Sequence, residues 1–444
     1  MSATTDKGMA ERGMAVGLRA INRLAGSDVL DRIRIRKGVE RALFQGTKRG
    51  FRSATAAGRT FKAAKKLGRP ARQAHVKRGG LFDVTPDDEQ QMLQDAVGAF
   101  AAEKVRPAAL EADERRTAPA ELLTQANELG VTILGVPEEV GGVMHEQAAV
   151  TSVLIAEALA HGDMGIAYAA LAPGAVATAI GLWGDADQES TYLPAFTGED
   201  VPVSALAMLE PRPLFDPLAL ETSARRDGDD WVLDGVKSLV ARAADCELFV
   251  VAAEAEGIGP ALFIVESSTK GLSIEDEPAM GLRAAATGRL ILERARVPAG
   301  ALICEGKREA YVECVDRARI AWAALAVGTS QAVLDYAIPY VNERTAFGEP
   351  ISNRQAVAFM VSDIGVETDG MRLAVYRAAS RADHGDEFAR EAAIARQLAA
   401  DKGMKIGSDG VQLLGGHGFI KEHPVERWYR DLRAAGVMEG ALLV

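Results

Sequence analysis

A change of period near Pro202, reversed near Val312, constrains this chain more than any other feature of its sequence. Between these points run VSALAML, WVLDGVKSLV, CELFVVAAE, ALFIVES, RLILERARV and ALI, separated by DGDD, EGIGP and STKGL. Short runs of branched and aromatic residues, punctuated by Gly, Asp and Pro, read as strands joined by turns. On either side the apolar residues recur at three and four. Met92, Leu93, Val97, Phe100 and Val105 share a helical face, with Pro86 placed where that helix begins. A second helix runs through Leu122 to Leu129, and 150–159 and 165–182 are Ala-rich helical runs. Beyond Val312, Ile320, Ala324, Val327, Val333 and Tyr336 are spaced helically, and Pro339 is set to kink the helix or start another. Ala392, Ala395, Ala399, Met404 and Ile406 carry one more helix to Val411. The expected fold class is mainly α with a central small β-domain. A chain of 444 residues has room for this division: an N-terminal α-domain over 81–200, a β-domain over 201–303 and a C-terminal α-helical domain over 304–444.

Residues 1–80 differ from the rest. They hold 20 Lys and Arg against 5 Asp and Glu, whereas 81–444 holds 31 against 57, so a basic extension precedes an acidic body. In the extension Val39, Leu43, Phe44, Phe51, Phe61 and Leu67 sit among Arg41, Lys48, Arg49, Arg52, Arg59, Lys62, Lys65 and Lys66, which suggests short basic helices or a flexible tail. An anionic membrane surface, an acidic partner or the chain's own acidic body, and plain solvent are the three open readings of this coat. The acidic body argues against nucleic-acid binding, which needs a cationic surface. Cys246, Cys304 and Cys314 have no paired spacing, and the six histidines form no zinc motif, so neither a disulfide framework nor a metal site is expected. The longest apolar runs read as too short or too interrupted to span a bilayer, and no apolar secretory core opens the chain. The expected location is cytoplasmic, with peripheral membrane attachment through the basic extension, and organellar import as the alternative.

The last stretch, VQLLGGHGFIKEHPVERWYRDLRAAGVMEGALLV, is where chemistry is expected. Helical periodicity stops at Gly415-Gly416, Pro424 opens a short charged segment, and Glu439 then stands between Met438 and Gly440. A carboxylate with small and apolar neighbours is poorly solvated, which raises its pKa and suits it to removing a proton beside a carbonyl. The competing reading is a solvated residue near a frayed terminus. Gly415-Gly416 does not follow a strand, so a Rossmann site is excluded.

Three ordered segments sharpen this reading: PEEVGG at 137–142, RTAFGEPISNRQAV from Arg344, and QLLGGHGF…PVERWYRDLR…MEG from Gln412. In order and spacing they resemble the acyl-CoA dehydrogenase family over about 81–440. The resemblance implies an α-domain, a β-barrel-like domain and a C-terminal four-helix bundle, with FAD held partly by a neighbouring subunit in a dimer or tetramer. It implies oxidation of an acyl-CoA to the trans-2-enoyl thioester, with Glu439 as base, the flavin as hydride acceptor and an electron-transferring flavoprotein receiving the electrons. It assigns Met208, Leu209, Arg344, Phe347, Arg354, Gln355, Gln412, Gly415 and Gly416 to the cofactor, and Asp316, Arg319 and Gly440 to the substrate. Ala318 stands where some members carry their base. Two flavin-holding segments depart from the family pattern: TEPGAGSD reads LEPRPLFD at 209–216, and KxWITN reads KSLVARA at 237–243. Ala441 replaces the hydroxyl residue that usually follows Glu-Gly. A second reading is therefore a non-catalytic or half-site subunit of the same fold in a hetero-oligomer. A third keeps the flavin and uses oxygen as oxidant.

Overall fold

The computed structural model describes residues 86–143, 148–198 and 200–441; the extension over 1–80 lies outside them. The first helix, α1 (Asp88–Phe100), is started by Asp87 rather than Pro86. Gln90 N–H donates to Asp87 Oδ1 at 2.8 Å and Asp87 N–H donates to Gln90 Oε1 at 3.1 Å, a reciprocal cap that satisfies two helix-end donors. Met92, expected on the packed face, is 73% exposed, because Leu93, Val97 and Val105 already define the inward stripe. The helix passes through a π turn (Ala101–Val105) into α2 (Arg106–Arg115), and α3 (Ala120–Glu128) follows.

The next helices, α4 (Ala149–Gly162) and α5 (Met164–Trp183), carry the Ala-rich runs. Here one expectation is corrected. At 20 residues and mean hydropathy 1.6, α5 is long and apolar enough to cross a membrane, yet Met164, Ile166, Val176 and Ile180 are buried in the protein's own core. Its composition is that of a helix packed on several sides. Asp163 caps it by accepting the Ile166 N–H at 2.9 Å. A short helix, α6 (Ala186–Tyr192), leads to the β-domain.

Seven strands form one sheet: β1 (Ser204–Ala207), β2 (Ser223–Asp227), β3 (Asp230–Val240), β4 (Leu248–Ala255), β5 (Gly259–Glu266), β6 (Leu272–Asp276) and β7 (Gly288–Val297). Their order is β1-β4-β2-β3-β7-β6, with β5 also paired to β4. Antiparallel β4 and β5 register Val250 with Ile264 and Ala252 with Leu262; β1 runs parallel to β4. Phe249, Val251, Phe263 and Trp231 fill one face, and Val250, Ala252, Leu262 and Ile264 pack on Tyr311 and Val315 from the helices. A strand buried on both faces reads as the continuous apolar run seen in LFVVAA.

The C-terminal domain is built on α7 (Arg308–Glu343), flanked by α8 (Gln355–Asp383) and α9 (Ala389–Leu414). Pro339 neither ends α7 nor starts another helix but lies within it. Close approach of α4 and α7 depends on Gly328, where an added Cβ would meet the Glu157 carbonyl oxygen at 2.1 Å. Glu157 in turn accepts from Arg372 Nε at 2.7 Å and Tyr376 Oη at 2.8 Å, tying α4 to α8. Met404, expected in the core of α9, is exposed instead. The short helix α10 (Val425–Asp431) returns the chain to this bundle.

Candidate active site

Glu439 is not a frayed terminal residue. It is 6% exposed and held in the left-handed region at φ 56°, a conformation costly for a residue with a Cβ. The following chain is stitched down. Ala441 N–H donates to the Phe215 carbonyl at 2.9 Å, and Gly440, at φ 109°, approaches so closely that a Cβ would stand 2.7 Å from Pro217 Cδ. Arg396 donates to the Gly440 carbonyl, and Arg319 Nε and Nη2 donate to the Glu439 carbonyl at 3.4 and 3.3 Å. Trp322 Nε1 donates to Glu439 Oε1 at 3.0 Å, whereas Oε2 is buried without a partner.

Burial pushes the Glu439 carboxyl above its ordinary range, and the Trp322 hydrogen bond and the Arg396 and Arg319 charges pull it partly back. Burial also lowers Arg396 to about 10, and its Nη1 has no partner. Six residues before Trp322 on α7, the Asp316 carboxyl is raised to about 6, chiefly by burial, with Arg319 at 3.9 Å opposing the rise. A desolvated carboxylate between two guanidinium groups is equipped to accept a proton. Arg396 and Trp322 were not singled out in the sequence. Their signals are faint: one Arg within AAIARQLAA and one Trp within RIAWAAL.

The residues the resemblance assigns to FAD divide into two groups. Arg344, Phe347, Arg354, Gln355, Gln412, Gly415 and Gly416 all face outward. Phe347, on the hairpin formed by β8 (Thr345–Ala346) and β9 (Glu349–Pro350), is 94% exposed, with the Arg354 guanidinium 5.4 Å from its ring centroid. Exposed guanidinium groups are of the type that takes an anionic phosphate, and Arg354 Nη2 lies 3.4 Å from Glu349 Oε1. Met208 and Leu209 instead lie buried behind the sheet end. The Met208 carbonyl accepts from Lys237 Nζ at 3.2 Å, and the Leu209 carbonyl accepts from Ser238 N–H at 2.9 Å. Lys237 also pairs with Glu210 at 2.9 Å, and burial lowers its pKa to about 8. Arg212 folds back onto the Asp216 and Ala219 carbonyls and the Phe215 ring, occupying the approach that Gly-Ala-Gly leaves open in the family pattern.

The ring end of a flavin does not fit the inner slot as it stands. The resemblance places those rings between the KSLVAR segment and Glu439. That interval is filled by two aromatic side chains in unbroken contact. Tyr168 Oη donates to the Leu239 carbonyl at 3.1 Å; its ring lies 4.7 Å from that of Trp322, centroid to centroid; and Trp322, 4% exposed, donates to Glu439. A three-ring heterocycle enters only by displacing both. On another face of α7 an apolar cavity of about 170 Å³ lies between α4, α5 and α7, lined by Leu134, Ala156, Leu171, Ala175, Cys314 and Ala318.

Among the described residues no group of His, Cys, Asp and Glu is arranged to hold a metal ion. Family models for the N-terminal, middle and C-terminal domains of acyl-CoA dehydrogenase match residues 87–200, 205–295 and 309–442. The bovine mitochondrial short-chain specific acyl-CoA dehydrogenase is 32% identical over 366 residues, covering 80% of this chain and 87% of that protein. The structure of butyryl-CoA dehydrogenase from Megasphaera elsdenii superposes with a TM-score of 0.75 at 28% identity, over 82% of this chain and 97% of that one. A glutaryl-CoA dehydrogenase from Mycobacterium smegmatis, solved in complex with FADH2, gives a TM-score of 0.74 at 25% identity, over 81% and 92%. With three consecutive domains matched and a third of the residues shared, this chain belongs to the acyl-CoA dehydrogenase family.

Proposed function

We propose that the reaction this chain serves is α,β-dehydrogenation of an acyl-CoA thioester to the trans-2-enoyl thioester, with Glu439 taking the α proton. The family is one of FAD-dependent oxidoreductases acting on acyl-CoA. The observation that carries the assignment is the Glu439 carboxylate: buried, raised in pKa, anchored through Oε1 and with Oε2 unpartnered. Arg319 and Asp316 line the same stretch of α7, and Gly440 continues the loop, where they serve the thioester and its CoA end. Electrons leaving this reaction pass to an electron-transferring flavoprotein. The proton step is the one these residues explain; the electron-accepting step requires an open ring slot.

The filled slot favours a second reading: a subunit that contributes the outward half of a flavin site to an oligomer. Absorbance near 450 nm of the purified full-length chain, followed anaerobically on adding butyryl-CoA, separates the two. Flavin bleached by the thioester supports the first reading. Glu439→Gln is expected to keep the colour and slow bleaching by on the order of 10²–10⁴-fold, the usual loss on removing a general base. Undiminished bleaching in that variant removes Glu439 from the role.

A further inference from the structure

The hydrogen bonds that fix the Glu439 loop divide by target. Both guanidinium groups end on main chain, Arg319 on the Glu439 carbonyl and Arg396 on the Gly440 carbonyl. Among the described residues, Trp322 is the one side chain whose hydrogen bond ends on the carboxylate itself, from Nε1 to Oε1 at 3.0 Å. Arg319 and Trp322 are three residues apart on α7, so one helix face grips both the backbone and the carboxylate of a residue held at φ 56°. The two carboxylate oxygens are unlike as a result: Oε1 is anchored, and Oε2 is buried without a partner.

The anchor is itself fixed. Trp322 is buried in the main core, and its ring lies 4.7 Å from that of Tyr168, whose Oη donates to the Leu239 carbonyl at 3.1 Å. An indole N–H is a donor only, so it holds a carboxylate without offering or taking a proton, as a Lys, His or Tyr in its place could. Its bond is stronger to the charged acid, and it persists in the neutral one, because Oε1 still accepts when the proton sits on Oε2.

We propose that Trp322 is the positioning residue of the base: its indole N–H pins Oε1 and leaves Oε2 as the atom that takes the proton. This rests on the role given to Glu439 above. In that step the α C–H bond breaks, its proton bonds to a lone pair of Oε2, and its electron pair stays with the substrate.

The groups that face Glu439 are Tyr311, Cys314 and Arg319 on α7, Arg396 on α9 and Tyr168 on α5. Burial pushes both tyrosines and the thiol far up, the thiol to about 12, so they keep their charge near neutral pH. Asp316, paired with Arg319 and raised to about 6, does titrate there. Comparison with Glu439→Gln separates its signal from that of Glu439.

The test uses full-length protein labelled with 15N in the indoles and 13C in the glutamate carboxyls, titrated by NMR over about pH 5 to 9. Loss of one carboxyl signal in Glu439→Gln identifies that of Glu439. One of the four indole signals is expected to titrate in step with it in wild type and to stop doing so in Glu439→Gln. Absence of such an indole overturns the anchor, and this measurement needs no change at Trp322. In Trp322→Phe, which keeps a ring and loses the N–H, the Glu439 midpoint is expected to rise by about one pH unit, the margin of a charged over a neutral hydrogen bond. An unchanged midpoint, or an equal rise in Tyr168→Phe, shows that the N–H is not the cause and overturns the proposal. Should Trp322→Phe not fold, the indole titration of wild type decides alone. Dehydrogenation is read separately: wild type that holds flavin and is not bleached by butyryl-CoA removes the proton-taking role of Oε2, while the indole titration still reports whether Trp322 holds Oε1.

Discussion

At the scale of single residues, the neighbourhood of Glu439 shows how one helix sets the proton affinity of a loop carboxylate. Asp316, Arg319 and Trp322 lie at successive three-residue steps of α7, so they share a face, and that face meets Met438 to Gly440. The two acids carry an energetic cost that pH reveals. Asp316 is raised from 3.8 to about 6, so the folded protein holds this proton more tightly than the unfolded chain does. Stability therefore falls as pH rises from about 4 to about 6, and the whole penalty is present above that range. Asp316→Asn is expected to stabilise the protein at pH 7.5 by up to about 2–3 kcal/mol and to leave it unchanged near pH 4. Urea midpoints measured across that range check the sign; a gain of equal size at both ends shows that charge burial is not the cause. The left-handed φ of Glu439 belongs to the same account, since Gly440 and Ala441, tied to Phe215 and Pro217, fix the loop that imposes it.

Among the secondary-structure elements, the contact of α4 with α7 determines how near the Ala-rich helices come to the α7 face that carries the site. Gly328 permits that approach, because backbone oxygen cannot move aside as a flexible side chain can. Gly328→Ala, which would raise helix propensity in an isolated peptide, is expected to destabilise the protein by about 1–3 kcal/mol through overpacking. Thermal melts compared with Gly370→Ala on α8, where a Cβ meets nothing within 4 Å, test this; equal melting temperatures for the two refute it. The helices and strands were largely legible beforehand, because long helical periodicity and short β-rich runs each report one local geometry. Met92 and Met404 were misread for a specific reason. Both sit at plausible helical spacing, but a helix buries only the stripe its neighbours cover, and those neighbours are distant in sequence. The apolar length of α5 was underestimated because Gly165, Gly174 and Pro173 look like interruptions. In the fold the two glycines let other segments approach, with Ala284 beside Gly165 and Val131 beside Gly174, and Pro173 lies buried within the helix.

On the scale of the whole molecule, charge is divided along the chain, with an excess of 15 positive charges in 1–80 and of 26 negative charges in 81–444. Deleting residues 1–80 is expected to leave the cooperative melting of the remainder intact while weakening attachment to vesicles containing phosphatidylserine. Flotation at low and physiological salt measures it, since such binding weakens within a Debye length as ionic strength rises. Equal flotation of both forms rejects the membrane reading. The sequence by itself determined the family and the succession of helices, strands and helices, because these depend on local periodicity and on motifs contiguous in the chain. Only the tertiary structure decided that Trp322 and Arg396 converge on Glu439, and that Tyr168 meets Trp322 across the interval assigned to the flavin rings. Those contacts join residues 44 to more than 150 positions apart, so packing alone brings them together, and no pattern along the chain encodes whether a slot between them is open or filled.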